Sequence, residues 1–136
     1  QHVQGWHAAR YPEAFVPAPD PEALLAWFAE RLADPACLAF LSGDPPLGYA
    51  LCTLQTREAS VFSPAVRRLM IDHIAVVPEA RRKGHGRALL RASRELARDL
   101  GADEILLDTW EANHDAHAFF RAEGFSPRLM LFRATP

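Results

Sequence analysis

The chain has one lysine against fourteen arginines, two cysteines and seven glycines in 136 residues, and no run of eighteen apolar residues. Each scarcity removes a class of protein. Without a long apolar run no helical membrane span is expected. Two cysteines, Cys37 and Cys52, lack metal-ligand spacing and sit in apolar, strand-like stretches. They read as small buried hydrophobes in a reducing cytosol rather than as a disulfide scaffold or metal site. No internal repeat or low-complexity tract is evident, and no secretory leader is visible after Gln1. The chain is long enough for one domain with one core, and 49% apolar residues with eight Phe and three Trp make it globular rather than disordered.

What is present is unevenly distributed. Between Arg81 and Arg98 seven cations face a single anion, Glu95, so the rest of the chain, at a total of −2, must sum to −8. A nucleic-acid-binding domain is basic overall and interleaves aromatics with its cations, which this one does not. Positive charge confined to one loop and the helix behind it suits a small anionic ligand better.

That loop is the most informative segment. Met70 to Val77 is a continuous apolar run broken only by Asp72 and His73, and it leads through Pro78 into Arg81-Arg82-Lys83-Gly84-His85-Gly86-Arg87-Ala88. Gly84 and Gly86 allow close approach of the backbone to a ligand. The helix that begins there offers unpaired N–H groups and a positive dipole end, a natural seat for a pyrophosphate. A Walker loop is excluded because no Ser or Thr follows the lysine–glycine pair in the required pattern. A Rossmann fingerprint is excluded because Leu89 occupies its third glycine position.

The remaining pattern, R-x-x-G-x-G on Arg81, Gly84 and Gly86, resembles the acetyl-CoA loop of the GCN5-related N-acetyltransferases. A second motif strengthens the resemblance. Asn113-x-x-Ala116-x-x-Phe119-Phe120-x-x-x-Gly124-Phe125 is similar to the family's last helix, except that Phe120 stands where tyrosine is usual. The resemblance is firm from Met70 to Phe125 and loose before it. It implies an α/β (α+β) fold: a mixed, mostly antiparallel sheet flanked by helices, with a parallel strand pair that splays at the cofactor site. The family's usual opening strand is not recognisable ahead of the first helix, so the single domain, residues 1–136, reads as trimmed at its N-terminus.

Periodicity supplies the elements. A helix end is expected over residues 2–9, and a helix from Pro21, capped by Asp20, with Leu24, Leu25, Trp27, Phe28 and Leu32 as its apolar face. A hairpin follows, with strands at Cys37 to Leu41 and from Leu47. A helix from Gly86 to Leu100 turns Leu89, Ala92, Ser93, Leu96 and Leu100 inward and Arg87, Arg91, Arg94 and Arg98 outward. Then come a strand at Glu104 to Trp110, a helix at Asp115 to Ala122, and a last strand across Leu129 to Arg133.

The resemblance implies acetyl-CoA as co-substrate, a primary amine as acceptor and direct attack of one on the other, with no metal. Ile74, Ala75 and Val76 would meet the pantetheine arm, the Ala75 N–H would polarise the thioester carbonyl, and residues Arg81 to Ala88 would hold the pyrophosphate. Asn113, Phe119 and Phe120 would border the cofactor. Asp72 is the first candidate for the proton acceptor, with an ion pair to Arg67 or Arg68 as the plain structural alternative. His73 has the better intrinsic pKa, but strand alternation points it to the opposite face unless a bulge intervenes. His114 and His117 lack a third metal ligand nearby. Trp27, Phe62 and Trp110 are candidates to line an acceptor pocket. Because Phe120 has no proton to give a departing thiolate, a non-catalytic acyl-CoA-binding module is the alternative reading. Dimerisation is common in such proteins and is left open by the sequence, as is the acceptor.

Overall fold

Asp20 starts the first well-formed helix. Its carboxylate accepts from the Ala23 N–H at 2.8 Å and Pro21 takes the first helical position, where a missing N–H costs nothing. In this computed structural model, which describes residues 2–136, the chain runs α1 (His2–Arg10), α2 (Pro21–Ala33), β1 (Cys37–Ser42), β2 (Gly48–Arg57), β3 (Val66–Val76), a short 3₁₀ turn (Pro78–Ala80), α3 (His85–Asp99), β4 (Glu104–Leu107) and α4 (His114–Ala122). The sheet order is β1-β2-β3-β4; the first two pairings are antiparallel and β3–β4 is parallel. The mixed, mostly antiparallel sheet expected from the sequence is therefore formed.

α3 covers one face. Its inward stripe is Leu89, Leu90, Ser93 and Ala97, rotated slightly from the face that periodicity selects, and Ser93 is fully buried. The Ser93 hydroxyl is satisfied within its own helix, donating to the Leu89 carbonyl at 2.9 Å, and it lies 3.6 Å from Cys52 Sγ. Ala50, Cys52, Leu69 and Ile71 rise from the sheet to meet this stripe, and Phe120 of α4 closes the core. Both cysteines are free and buried. Leu69 is at the centre with no exposed surface. Leu69→Ala is expected to lower unfolding free energy by about 2–5 kcal/mol, read from a urea midpoint shift at constant slope.

Three expectations are corrected. The apolar face of α2 is mostly open: Leu25 is 72% exposed and Leu32 50%, because the helix meets the sheet through Phe28, Trp27 and Arg31 instead. Arg94 does not point to solvent. It bonds the Glu123 carbonyl and lies 5.0 Å over the Phe125 ring, tying α3 to the end of α4. The last strand does not form. Residues 124–136 have no regular structure beyond the turn at Gly124, and the tail is held at two ends, by Arg128 to Glu104 and by Arg133 to Glu13 at 2.8 Å. A strand needs a hydrogen-bonding neighbour, and this segment pairs with none among the described residues, which leaves its apolar side chains exposed.

Candidate active site

The site begins where two strands part. β4 pairs with β3 from Arg68↔Glu104 to Ile71↔Leu107 and then stops, short of the Trp110 limit expected, while β3 continues to Val76. Residues 72–76 thus have a neighbour on the β2 side only. Which of their backbone groups open into the gap follows from the ladder. The Val77 N–H donates to Leu47 O at 2.9 Å, which turns Leu47 and, by alternation, Tyr49 toward β3. Tyr49 is paired with Ala75, so Ala75 spends its N–H on β2, and the groups of Ile74 and Val76 face the gap. The Ala75 N–H, expected to meet the thioester, is thus turned toward β2 and away from the gap. The Val76 carbonyl already accepts from Arg81 Nε at 3.3 Å.

Beyond the gap the chain makes a positively charged turn. Arg82 has φ 61° and Gly84 φ 88°, and Gly84 caps α3 in the left-handed conformation. A side chain added at Gly84 would meet nothing within 4 Å, so open space lies in front of the helix start. The first intrahelical bond is Ala88 N–H to Gly84 O, leaving the N–H groups of His85, Gly86 and Arg87 without helical partners. These features fit a pyrophosphate: several N–H groups, an open approach and cationic side chains. Among the described residues, Arg82 and Lys83 have no acidic partner, whereas Arg87 Nε is bound to Glu123 at 2.8 Å. His85 is tied back by its Nδ1, 2.9 Å from Ser42 Oγ at the end of β1, a link no sequence signal indicates. Gly86 packs closely under Phe119: a Cβ there would lie 3.1 Å from the ring, which would have to shift by a few tenths of an ångström.

The other expected cofactor residues have structural duties. Asn113 Oδ1 caps α4, accepting from Ala116 N–H at 3.3 Å. Phe119 packs against the Gly86 backbone, and Phe120 is a core residue, 8% exposed, with Phe125 at 6.0 Å.

On the sheet face opposite α3 the structure departs from simple alternation. The β2–β3 register slips between Leu51 and Cys52: Leu51 faces His73 while Cys52 faces Ile71, so Asp72 is an extra residue. The bulge brings Asp72 and His73 to the same side, both against α2, where alternation had separated them. Asp72 Oδ2 accepts from Thr53 Oγ1 at 2.5 Å and lies 3.5 Å from Arg31 Nη2. Its ion-pair partner is Arg31, not Arg67 or Arg68; Arg68 pairs with Glu104. His73 stacks on Trp27, with ring centroids 5.4 Å apart and 11° between planes, and its Nδ1 is 3.4 Å from the Tyr49 hydroxyl. Burial against these rings lowers the His73 pKa from its usual 6.5, more than the Asp72 carboxylate raises it. Burial likewise raises the Tyr49 pKa, so its proton is retained at neutral pH.

Of the aromatic residues expected to line a pocket, Trp27 is on this face. Trp110 belongs to a second cluster, 4.2 Å from Tyr11 and 5.1 Å from Phe15, and Phe62 is 96% exposed in the β2–β3 connection. Arg31, Tyr49, Thr53 and Asp108 carry no motif or spacing that would single them out in the sequence. Asp108 follows Leu107, the last residue paired with β3, and its charge reaches His73 across the mouth of the gap.

A mixed sheet whose parallel pair parts in front of a glycine-capped, basic helix start is the architecture that the resemblance implied. The model of the Acetyltransferase (GNAT) family matches residues 1–125, and the chain belongs to that family. Among curated relatives, human N-acetyltransferase 8 is 39% identical over 67 residues, 48% of this chain and 30% of that protein. The streptothricin acetyltransferase of Streptomyces lavendulae is 38% identical over 65 residues, 48% of this chain and 34% of that protein. The match thus spans about a third of either relative's length. A tetramutant protein from Bacillus halodurans superposes with a TM-score of 0.90 at 17% identity, covering 99% of this chain and 88% of that one. An aminoglycoside N-acetyltransferase in complex with CoA gives 0.67 at 20%, covering 99% and 94%. At these identities the structures speak for the fold.

Proposed function

We propose that the chain transfers the acetyl group of acetyl-CoA to a primary amine by direct attack in a ternary complex. The observation that carries this reading is the unpaired stretch of β3 leading into the Gly84-capped start of α3. The arm of acetyl-CoA would lie along that stretch, with its pyrophosphate at the turn. The gap-facing N–H of Ile74 or Val76 would stabilise charge growing on the thioester oxygen. The amine nitrogen attacks the carbonyl carbon, the C–N bond forms, the C–S bond breaks and the CoA sulfur leaves. Asp72 and His73, both on the α2 face where the acceptor would enter, are the candidates to take its proton.

Calorimetric titration with acetyl-CoA, with free CoA and ATP as comparisons, is expected to give CoA-selective binding. Thiol release is then followed with 2-phenylethylamine, spermidine, lysine methyl ester, streptothricin and an aminoglycoside. The last two are chosen because similar proteins are named for them. Phe120, which has no proton to give a departing thiolate, favours a second reading, an acyl-CoA-binding module without turnover. Binding with no thiol release from any amine would select it, and ATP binding as tightly as acetyl-CoA would sink both.

A further inference from the structure

Before attack, the acceptor ammonium must lose a proton. We infer that His73 takes that proton, and that Asp72 is a positioning residue that holds the wall of the site. The inference rests on the transferase reading above and names the residue that completes it.

Asp72 is already engaged. Its Oδ2 accepts from Thr53 Oγ1 at 2.5 Å, Arg31 Nη2 is 3.5 Å away, and the same Nη2 donates to Thr53 Oγ1 at 2.9 Å. This closed triad joins α2, β2 and β3. Both contacts fall on Oδ2, and swinging the carboxylate toward an acceptor would break them and release Arg31 on the face where a cation must dock.

His73 has no such commitment. It makes no ion pair among the described residues, and its residue surface remains exposed beside the stack on Trp27. Among the described residues its one side-chain hydrogen-bonding contact is with Tyr49, 3.4 Å from Nδ1. A proton on Nδ1, donated to the Tyr49 oxygen, leaves the Nε2 lone pair free for the acceptor. In sequence it immediately precedes Ile74, whose N–H opens into the gap, so base and thioester site are adjacent. The bulge at Asp72 makes this possible by turning His73 to the α2 face.

The charged and titratable groups facing His73 are Asp72 on its own strand, Arg31 on α2, Tyr49 on β2 and Asp108 beyond β4. Desolvation by the surrounding rings outweighs the two carboxylates, and Arg31 adds to the lowering. The folded pKa lies below 6.5, so the imidazole is neutral and basic at pH 7 and loses that capacity as pH falls through the folded value. The protons balance. The first leaves the ammonium for His73 and passes to water. The second leaves the nitrogen once the C–N bond has formed and ends on the CoA sulfur, through water, since Phe120 has none to give.

The test is the pH dependence of single-turnover thiol release, using the fastest acceptor of the panel above. The wild-type rate is expected to level off by about pH 7 and to fall below pH 6.5. In His73→Gln the plateau is lost. Log rate then rises with unit slope toward the acceptor's own pKa near ~10, and the rate at pH 7 drops roughly 10²–10⁴-fold. Imidazole restores part of the rate in His73→Ala, which a merely structural role would not allow. Asp72→Asn keeps the plateau. Acetyl-CoA affinity by calorimetry stays at the wild-type value in the His73 variants, which shows that the fold and cofactor site are intact. A plateau that survives in His73→Gln overturns the inference while leaving the transferase reading in place, as does a plateau lost only in Asp72→Asn. No thiol release by the wild type with any amine overturns both.

Discussion

Gly84→Asp is expected to abolish acetyl-CoA binding in a chain that still folds. Asp is a favoured residue at the start of an ordinary helix, because its carboxylate accepts from the first N–H groups. Here two conditions reverse that preference. The cap has φ 88°, a conformation that costs an L-residue of order 1–2 kcal/mol. The new side chain also enters the open space before His85, Gly86 and Arg87, where the phosphates would lie. Two unit charges at about 4 Å with an effective dielectric near 20 repel by about 4 kcal/mol, roughly a thousandfold in affinity. Gly84→Asn separates the causes, since it adds similar bulk without the charge and tolerates the left-handed region better. Calorimetry should rank wild type above Asn above Asp, while thermal melting shows each variant folded. Wild-type affinity in Gly84→Asp would remove the turn from the cofactor site.

Gly48→Val is expected to damage the same site from the opposite strand. Gly48 pairs with Val76 at the last rung of β2–β3, and a Cβ there would lie 2.9 Å from the Ala75 carbonyl oxygen. It would also lie 3.1 Å from Val76 and 3.4 Å from Leu89 in the first turns of α3. The nearest atom is backbone, so no rotamer change relieves the contact. The end of β3 must move toward the gap or away from α3. Overpacking of this kind costs about 1–3 kcal/mol of stability. Because the displaced residues are those whose N–H groups face the gap, acetyl-CoA affinity should fall by about tenfold or more as well. Urea unfolding and calorimetry on the same sample test both effects. A stability loss with unchanged affinity would show that the cofactor does not use this stretch of β3.

Local chemistry was readable wherever the chain had to satisfy a demand within a few residues. Asp20 and Pro21 mark the start of α2 by capping it. Gly84 marks a turn that only a residue at ease with positive φ enters. The apolar run of β3 gives away a strand, and the small stripe of α3 its buried side. The Gly84 loop and the Phe119-containing helix carried the family resemblance because both motifs are contiguous in sequence.

What the sequence could not show was set by partners far along the chain. Alternation separates Asp72 from His73, and only the slip in register against β2 reunites them. The phase of the β2–β3 ladder, visible in a bond between Val77 and Leu47, decides that Ile74 and Val76 face the gap and Ala75 does not. Arg31 reaches Asp72 from a helix, and Ser42 reaches His85 across 43 positions. The expected last strand failed for the same reason: strand propensity is local, but a strand exists only where another backbone accepts its hydrogen bonds. The sequence determined where the chain turns, caps and buries itself, since those choices are made by neighbouring atoms. The tertiary structure decided which backbone groups and side chains share the mouth of the gap, because register between distant strands is fixed only when they pack.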